Sequence, residues 1–292
     1  MKRKIYLFFI LIIVVIISAF WLLYSDLPND ETILNYFPET TVNSLSNFEW
    51  EKEIVAPVRK YVPLKRISEE LRKAVVISED DLFFEHSGIN MTELKKAFRE
   101  NLEKKRFARG ASTITMQLAR NAFLFKKKTI TRKLKEIIIT KRIEKLLDKR
   151  TILEYYLNVV EWGPNIYGAE AAAFYYFNKP AAKLNLSESS LLAAILPNPI
   201  YYNPLKNFKG ARRKQSRVLK LMKETHLVTY SKMKQIKNDP IHLRGSKQDE
   251  RKQKINLNLA NFDSLLKNPR FPQSLKKKAD STGIIYFPEG EK

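Results

Sequence analysis

Residues 68–88 read SEELRKAVVISEDDLFFEHSG. Ser68 is suited to cap a helix, and Glu69 and Glu70 fall in its first turn, where the helix dipole favours acids. Leu71, Val75 and Glu79 recur at i, i+4 and i+8, so a helix running this far carries them on one face. A carboxylate on an otherwise apolar stripe is unusual, because burying a lone charge is costly. Such placements mark catalytic acids or bases, and equally acids that cap a neighbouring helix or pair with a cation. Both roles stay open for Glu79 at this point. His86 has no metal-ligating partner at suitable spacing and by itself reads as a structural hydrogen-bonding residue.

Helical patterning continues outward from this stretch to about Leu227. Between Thr131 and Leu147, Leu134, Ile137, Ile138, Ile143, Leu146 and Leu147 are apolar. Alternating strand patterns are scarce, so the fold class is mainly α. On the Thr131–Leu147 helix Glu136 lines up with Ile139, Thr140, Ile143 and Leu147, a second acid on a largely apolar stripe. Residues 126–150 hold 11 basic and 3 acidic side chains, a setting that can stabilise a departing diphosphate. Arg132 and Lys133, four and three residues before Glu136, could equally form a plain salt-bridged surface with it. In Arg109–Asn121 a small-residue loop leads into hydroxyls and a helix-like Gln-Leu-Ala-Arg. That arrangement suits anion binding or ordinary N-capping by Ser112 or Thr113. Ala122–Phe125 abutting Lys126–Lys128 fits a membrane interface or a solvated charge run beside a core segment.

The chain has 292 residues, no cysteine and a net charge of +22. Disulfides, thiol catalysis and cysteine metal sites are thereby excluded. The charge attracts polyanions of any kind. The N-terminus narrows the choice: Lys2-Arg3-Lys4 precedes an uncharged run from Ile5 to Tyr24, with Trp21 and Tyr24 at its far end. About twenty residues span a bilayer core, and the preceding cations predict a cytoplasmic N-terminus and an exported body. A cleaved signal peptide is the alternative, but no small-x-small site follows the run before Ser25. An exported body makes nucleic acid an unsuitable partner.

The expected organisation is a basic end at 1–4, a transmembrane anchor at 5–24 and an acidic, proline-punctuated linker at 25–58. A catalytic domain at 59–227 and a basic C-terminal extension at 228–292 follow. Residues 205–292 alone carry 22 basic and 8 acidic side chains.

Taken in order, the segments resemble the peptidoglycan glycosyltransferases, glycosyltransferase family 51. Glu79-Asp80-x-x-Phe83-x-x-His86-x-Gly88 is similar to the family's first motif, and Gly110–Asn121 to its second. Arg132-Lys133-x-x-Glu136 with Ile152–Asn158 resembles the third, Gly168–Ala173 with Tyr176-Phe177 the fourth, and Leu191–Pro197 through Tyr202-Asn203-Pro204 the fifth. Glu161–Pro164 resembles the monofunctional branch. Asn90 and Ala111 depart from the pattern, where Asp and Gly are common.

The resemblance implies a lysozyme-like, two-lobed domain with a cleft between a globular and a membrane-facing lobe. It implies Glu79 as general base, taking the proton from the 4-hydroxyl of an acceptor N-acetylglucosamine. Glu136 matches the second essential acid, on the diphosphate side. Arg120, Lys128 and Lys133 match cationic positions near the diphosphate, and Ser112 and Gln117 match polar positions in the cleft. The implied partners are lipid II, the growing glycan strand, membrane lipids and other cell-wall synthesis proteins. No cofactor is required by the resemblance; divalent-metal assistance to the diphosphate occurs in the family, and no ligand cluster in the sequence demands it. Two other readings remain: a lysozyme-like glycan-cleaving enzyme, and a non-catalytic basic scaffold for lipid or wall polymer. Fewer than ninety residues follow Pro204, too few for a transpeptidase domain, and no Lys-Thr-Gly is present.

Overall fold

The computed structural model describes residues 2–45, 48–50, 54, 56–104, 110–124 and 129–245. Lys128, Arg109 and the chain beyond 245 lie outside them. The chain divides into Met1–Ile241 and His242–Lys292. Of the second unit only 242–245 are described, as a short irregular stretch ending in a turn.

The first unit is mainly helical, as the patterning predicts. Helix α1 spans Lys2–Tyr24 and α2 Asp30–Leu34. The body then runs α3 (Glu69–Glu79), α4 (Met91–Glu103), α5 (Ile114–Phe123), α6 (Ile130–Leu146) and α7 (Lys149–Val159). After a short hairpin come α8 (Ala169–Phe177), α9 (Leu186–Ile195), α10 (Phe208–Glu224) and α11 (Tyr230–Asn238). A small sheet joins β1 (Val58–Arg59) in parallel to β3 (Ile166–Tyr167), which pairs antiparallel with β2 (Glu161–Gly163).

Two packed groups of helices position the site. In one, α9 lies between α3 and α10; in the other, α5 packs on α6 and α7. Every residue from Glu188 to Ile195 on α9 is buried, its polar first half included: Ser189 Oγ lies 3.3 Å from Ser68 Oγ, and Ser190 Oγ accepts from Gln215 Nε2 at 2.9 Å. Ser68 caps α3 as its position predicts, its hydroxyl accepting from the Leu71 N–H at 3.2 Å. Leu71 and Val75 are fully buried beneath it.

The described side chains of α1, among them Ile13, Ile17 and Trp21, are exposed, apart from half-buried Leu23; others in α1 lie outside the described residues. Among the described residues no helix is long and apolar enough to cross a membrane.

Among its described residues, the segment expected as a linker carries α2 and is otherwise mostly irregular, and it docks along the body. Ile33 is completely buried, and Tyr36 packs against Phe123 and Tyr155 with ring centroids 5.0 and 5.6 Å apart. Arg142 Nη1 donates to the Pro28 carbonyl at 2.7 Å, and the Thr41 N–H donates to the Arg59 carbonyl at 2.9 Å. At the other end, α11 adds to the body beyond residue 227: Arg212 Nη2 donates to the carbonyl of Lys237 at 2.7 Å, and Met233 and Ile236 are buried.

Candidate active site

Glu79 is the last residue of α3 and Asp80 its C-cap. The chain then turns sharply through His86 to Gly88, whose φ of +84° suits glycine. A Cβ on Gly88 would lie 2.7 Å from side-chain carbons of Glu144 and Thr140, so space as well as backbone demands glycine.

This turn is tied to the start of α5. The Asp80 Oδ2 atom accepts from the Ile114 N–H at 3.0 Å, and Thr113 Oγ1 donates to the Gly88 carbonyl at 2.6 Å. Thr113 also caps α5, its hydroxyl accepting from Met116. The capping reading of that loop therefore holds for Thr113, while Ser112 is left for another partner. Asp80 Oδ1 lies 2.8 Å from His86 Nε2. His86 Nδ1 accepts from the Gly88 N–H at 3.1 Å, which puts the ring proton on Nε2, donated to Asp80. Burial pushes the Asp80 carboxyl up, opposed by the His86 hydrogen bond and the Ile114 N–H. His86 is thus the structural hydrogen-bonding residue its sequence context suggested.

Glu79 is half-buried, with its carboxyl end desolvated. Burial raises its pKa above the ordinary glutamate value; the hydrogen bond from Gln117 and the charge of Arg120 oppose that rise, and Asp80 adds to it. Gln117 Nε2 donates to Glu79 Oε2 at 2.8 Å, and the hydroxyl of Tyr156 donates to Gln117 Oε1 at 3.2 Å. Glu79 opens on a cavity of about 570 Å³ that is also lined by Ser112 and by Lys214 and Arg217 of α10.

Glu136 sits one helix away, on α6, with only 1% of its surface exposed. Arg132 Nη1 is 3.1 Å from one of its oxygens and Lys133 Nζ 2.6 Å from the other. Both pairs that the spacing allowed are formed. Lys133 Nζ also donates to Ser112 Oγ at 3.1 Å, linking α6 to the loop before α5. Arg132 lines a second cavity of about 950 Å³ together with Arg120 and Asn121. The docked N-terminal segment, through Tyr36 and Phe37, and Arg59 line the same cavity.

Of the residues singled out from sequence, Glu79 and Gln117 meet directly, and Ser112, Lys133 and Glu136 form a second connected group. Arg120 acts on Glu79 electrostatically and opens on the larger cavity; Lys128 lies outside the described residues. Sequence reasoning passed over Tyr156 and the cavity-lining Tyr36 and Arg59. Tyr156 was visible only as one aromatic in Ile152–Asn158, and nothing in an acidic, proline-rich segment marks Tyr36 as a wall. Among the described residues no group of three or more His, Cys, Asp or Glu side chains could hold a metal ion.

The arrangement offers a desolvated carboxylate oriented by an amide, beside guanidinium and ammonium groups, between two cavities. That combination can accept a proton and stabilise an anionic leaving group.

A family model described as Transglycosylase matches residues 47–223. The biosynthetic peptidoglycan transglycosylase of Thiobacillus denitrificans is 48% identical over 160 residues, covering 55% of this chain and 68% of that protein. The protein of the same name from Nitrosospira multiformis is 39% identical over 220 residues, 74% of this chain and 93% of that one. Among solved structures, penicillin-binding protein 1A from Haemophilus influenzae matches with a TM-score of 0.38 and 20% identity, over 67% of this chain and 20% of that one.

Proposed function

The chain belongs to the transglycosylase family and is a peptidoglycan glycosyltransferase; from that premise we propose that it polymerises lipid II into glycan strands, with Glu79 as the general base. The observation that carries the proposal is the Glu79 carboxylate, desolvated, oriented by Gln117 and open to a cavity.

Glu79 takes the proton of the acceptor's 4-hydroxyl as that oxygen attacks the anomeric carbon of the donor. The bond from this carbon to the diphosphate oxygen breaks, and undecaprenyl diphosphate leaves with the electron pair, inverting the configuration. A base so placed contributes roughly 10²- to 10⁴-fold. Arg120 and Arg132, on the wall of the larger cavity, are the groups suited to the developing negative charge, with Lys133 beside them. Glu136 already holds two cations and is almost unexposed, so its part is to fix Arg132 and Lys133 in place.

A lipid-linked substrate calls for an enzyme at the membrane surface. The uncharged run Ile5–Tyr24 supports anchoring there, with the body on the outer face. A second support is α4, where Met91, Leu94, Phe98 and Leu102 recur on one side and are 44–67% exposed. That apolar face suits insertion into the headgroup region.

The test supplies lipid-linked disaccharide to the wild type and to Glu79→Gln. Polymer from the wild type and a loss of at least a hundredfold in the variant support the reading. Cleavage of preformed glycan without polymer would favour a lysozyme-like hydrolase, and unchanged polymerisation by Glu79→Gln would remove the base assignment.

A further inference from the structure

We propose that Tyr156 is a positioning residue for proton transfer: its phenol fixes the orientation of the Gln117 amide, which obliges that amide to donate to Glu79. The proposal rests on the reading of Glu79 as the base.

Tyr156 is fully buried on α7. Burial first, and the nearby Glu79 carboxylate second, keep its phenol protonated far beyond neutral pH. A buried hydroxyl of this kind needs an acceptor, and it has Gln117 Oε1 at 3.2 Å. That bond leaves the other end of the amide, Nε2, facing Glu79 Oε2 at 2.8 Å. A flipped amide would set Oε1 against a carboxylate oxygen and leave the Tyr156 hydrogen without that acceptor. The flipped form is tolerable only when Glu79 is protonated and can itself donate.

The two amide orientations therefore belong to two protonation states of Glu79. Tyr156 favours the orientation that stabilises the carboxylate, the form a base requires. It works against the desolvation that raises the Glu79 pKa. The other charged groups around Glu79 are Asp80 and Asp81 on its own loop, Arg120 on α5, Glu93 and Glu100 on α4, and Lys214 and Arg217 on α10. None of these is altered by exchanging one phenol for a phenyl ring.

The experiment measures the pH dependence of the polymerisation rate on lipid-linked disaccharide, using the full-length chain in detergent. Tyr156→Phe is expected to move the acid limb up by about half to one pH unit, the equivalent of one lost hydrogen bond. Below the limb its rate falls roughly three- to tenfold relative to wild type, and the plateau at higher pH changes little. Gln117→Ala moves the limb the same way, and adding Tyr156→Phe to it moves the limb no further. Should the phenyl variant fail to fold, 3-fluorotyrosine at position 156 keeps the shape and strengthens the donor, and the limb then moves to lower pH. A Tyr156→Phe or fluorotyrosine protein whose rate falls evenly at all pH values, with the limb unmoved, overturns the proposal. So does an additional shift in the double variant. A Glu79→Gln protein that retains the wild-type limb instead refutes the base assignment itself.

Discussion

Lys133 Nζ lies 2.6 Å from a carboxylate oxygen of Glu136, the more deeply buried of the two acids in the site. The same carboxylate holds Arg132, so Glu136→Gln leaves two cations close together without a counter-charge. Removing one partner of a buried pair costs up to ~3–5 kcal/mol. Lys133 is 42% exposed, and solvent screening reduces the loss to about 1–3 kcal/mol. A urea denaturation midpoint checks this. If Glu136 positions the cations that receive the diphosphate, the polymerisation rate should fall about tenfold or more. An unchanged rate would leave Glu136 with a purely structural part.

The raised pKa of Glu79 has opposite consequences for activity and stability. A base must be ionised, so the rate should fall on acidification with a midpoint above the ordinary glutamate value. For stability, the folded state binds the proton more tightly than the unfolded chain. That contribution is fully present below the unfolded pKa and is lost as pH rises through the folded one. Glu79→Gln should therefore be at least as stable as wild type at neutral pH. Its advantage should shrink as pH drops below the Glu79 folded pKa. Thermal melts of both proteins across that range measure the difference.

Gly88→Ala should destabilise the protein by about 1–3 kcal/mol, because alanine resists a positive φ. Its Cβ would also press on Glu144 and Thr140. The turn it distorts carries the hydrogen bonds of His86 and Thr113, so activity should fall with stability. A melt and a rate measured on the same preparation test both. A stable, fully active variant would count against the turn as the support of Glu79.

Ile33→Ala should cost about 2–5 kcal/mol, the usual loss for a fully buried aliphatic side chain. A solvated linker would show almost no change. Because Tyr36 lines the larger cavity a few residues on, the variant should also weaken substrate use. The apparent KM of the polymerisation reaction is the readout.

Much of the helical frame was legible because its signals are local. Ser68 as a cap, the stripe of Leu71 and Val75, and the line of Glu136, Ile139, Thr140 and Ile143 each depend on helical spacing alone. The Glu136 pairs were legible as options, since Arg132 and Lys133 lie within one helical turn of it. The link from Tyr156 through Gln117 to Glu79 was not legible. It joins three helices across 38 and 39 residues of sequence, and no periodicity reports which side chains meet at such a distance. The docked segment around Ile33 and Tyr36 was hidden for a related reason. Its acidic, proline-rich composition describes how it meets solvent, while its few buried side chains are defined by the surface they find.

Glu79 marks the division. By itself the sequence determined that a helix reaching this acid would carry it on one face with Leu71 and Val75, and its ordered motifs carried the family resemblance. Tertiary structure alone decided the state of the carboxylate: which groups desolvate it, which amide donates to it and which cavity it faces. Helical register is set by bonds within a few residues, whereas a carboxylate's protonation is set by solvent exclusion and partners that only packing brings together.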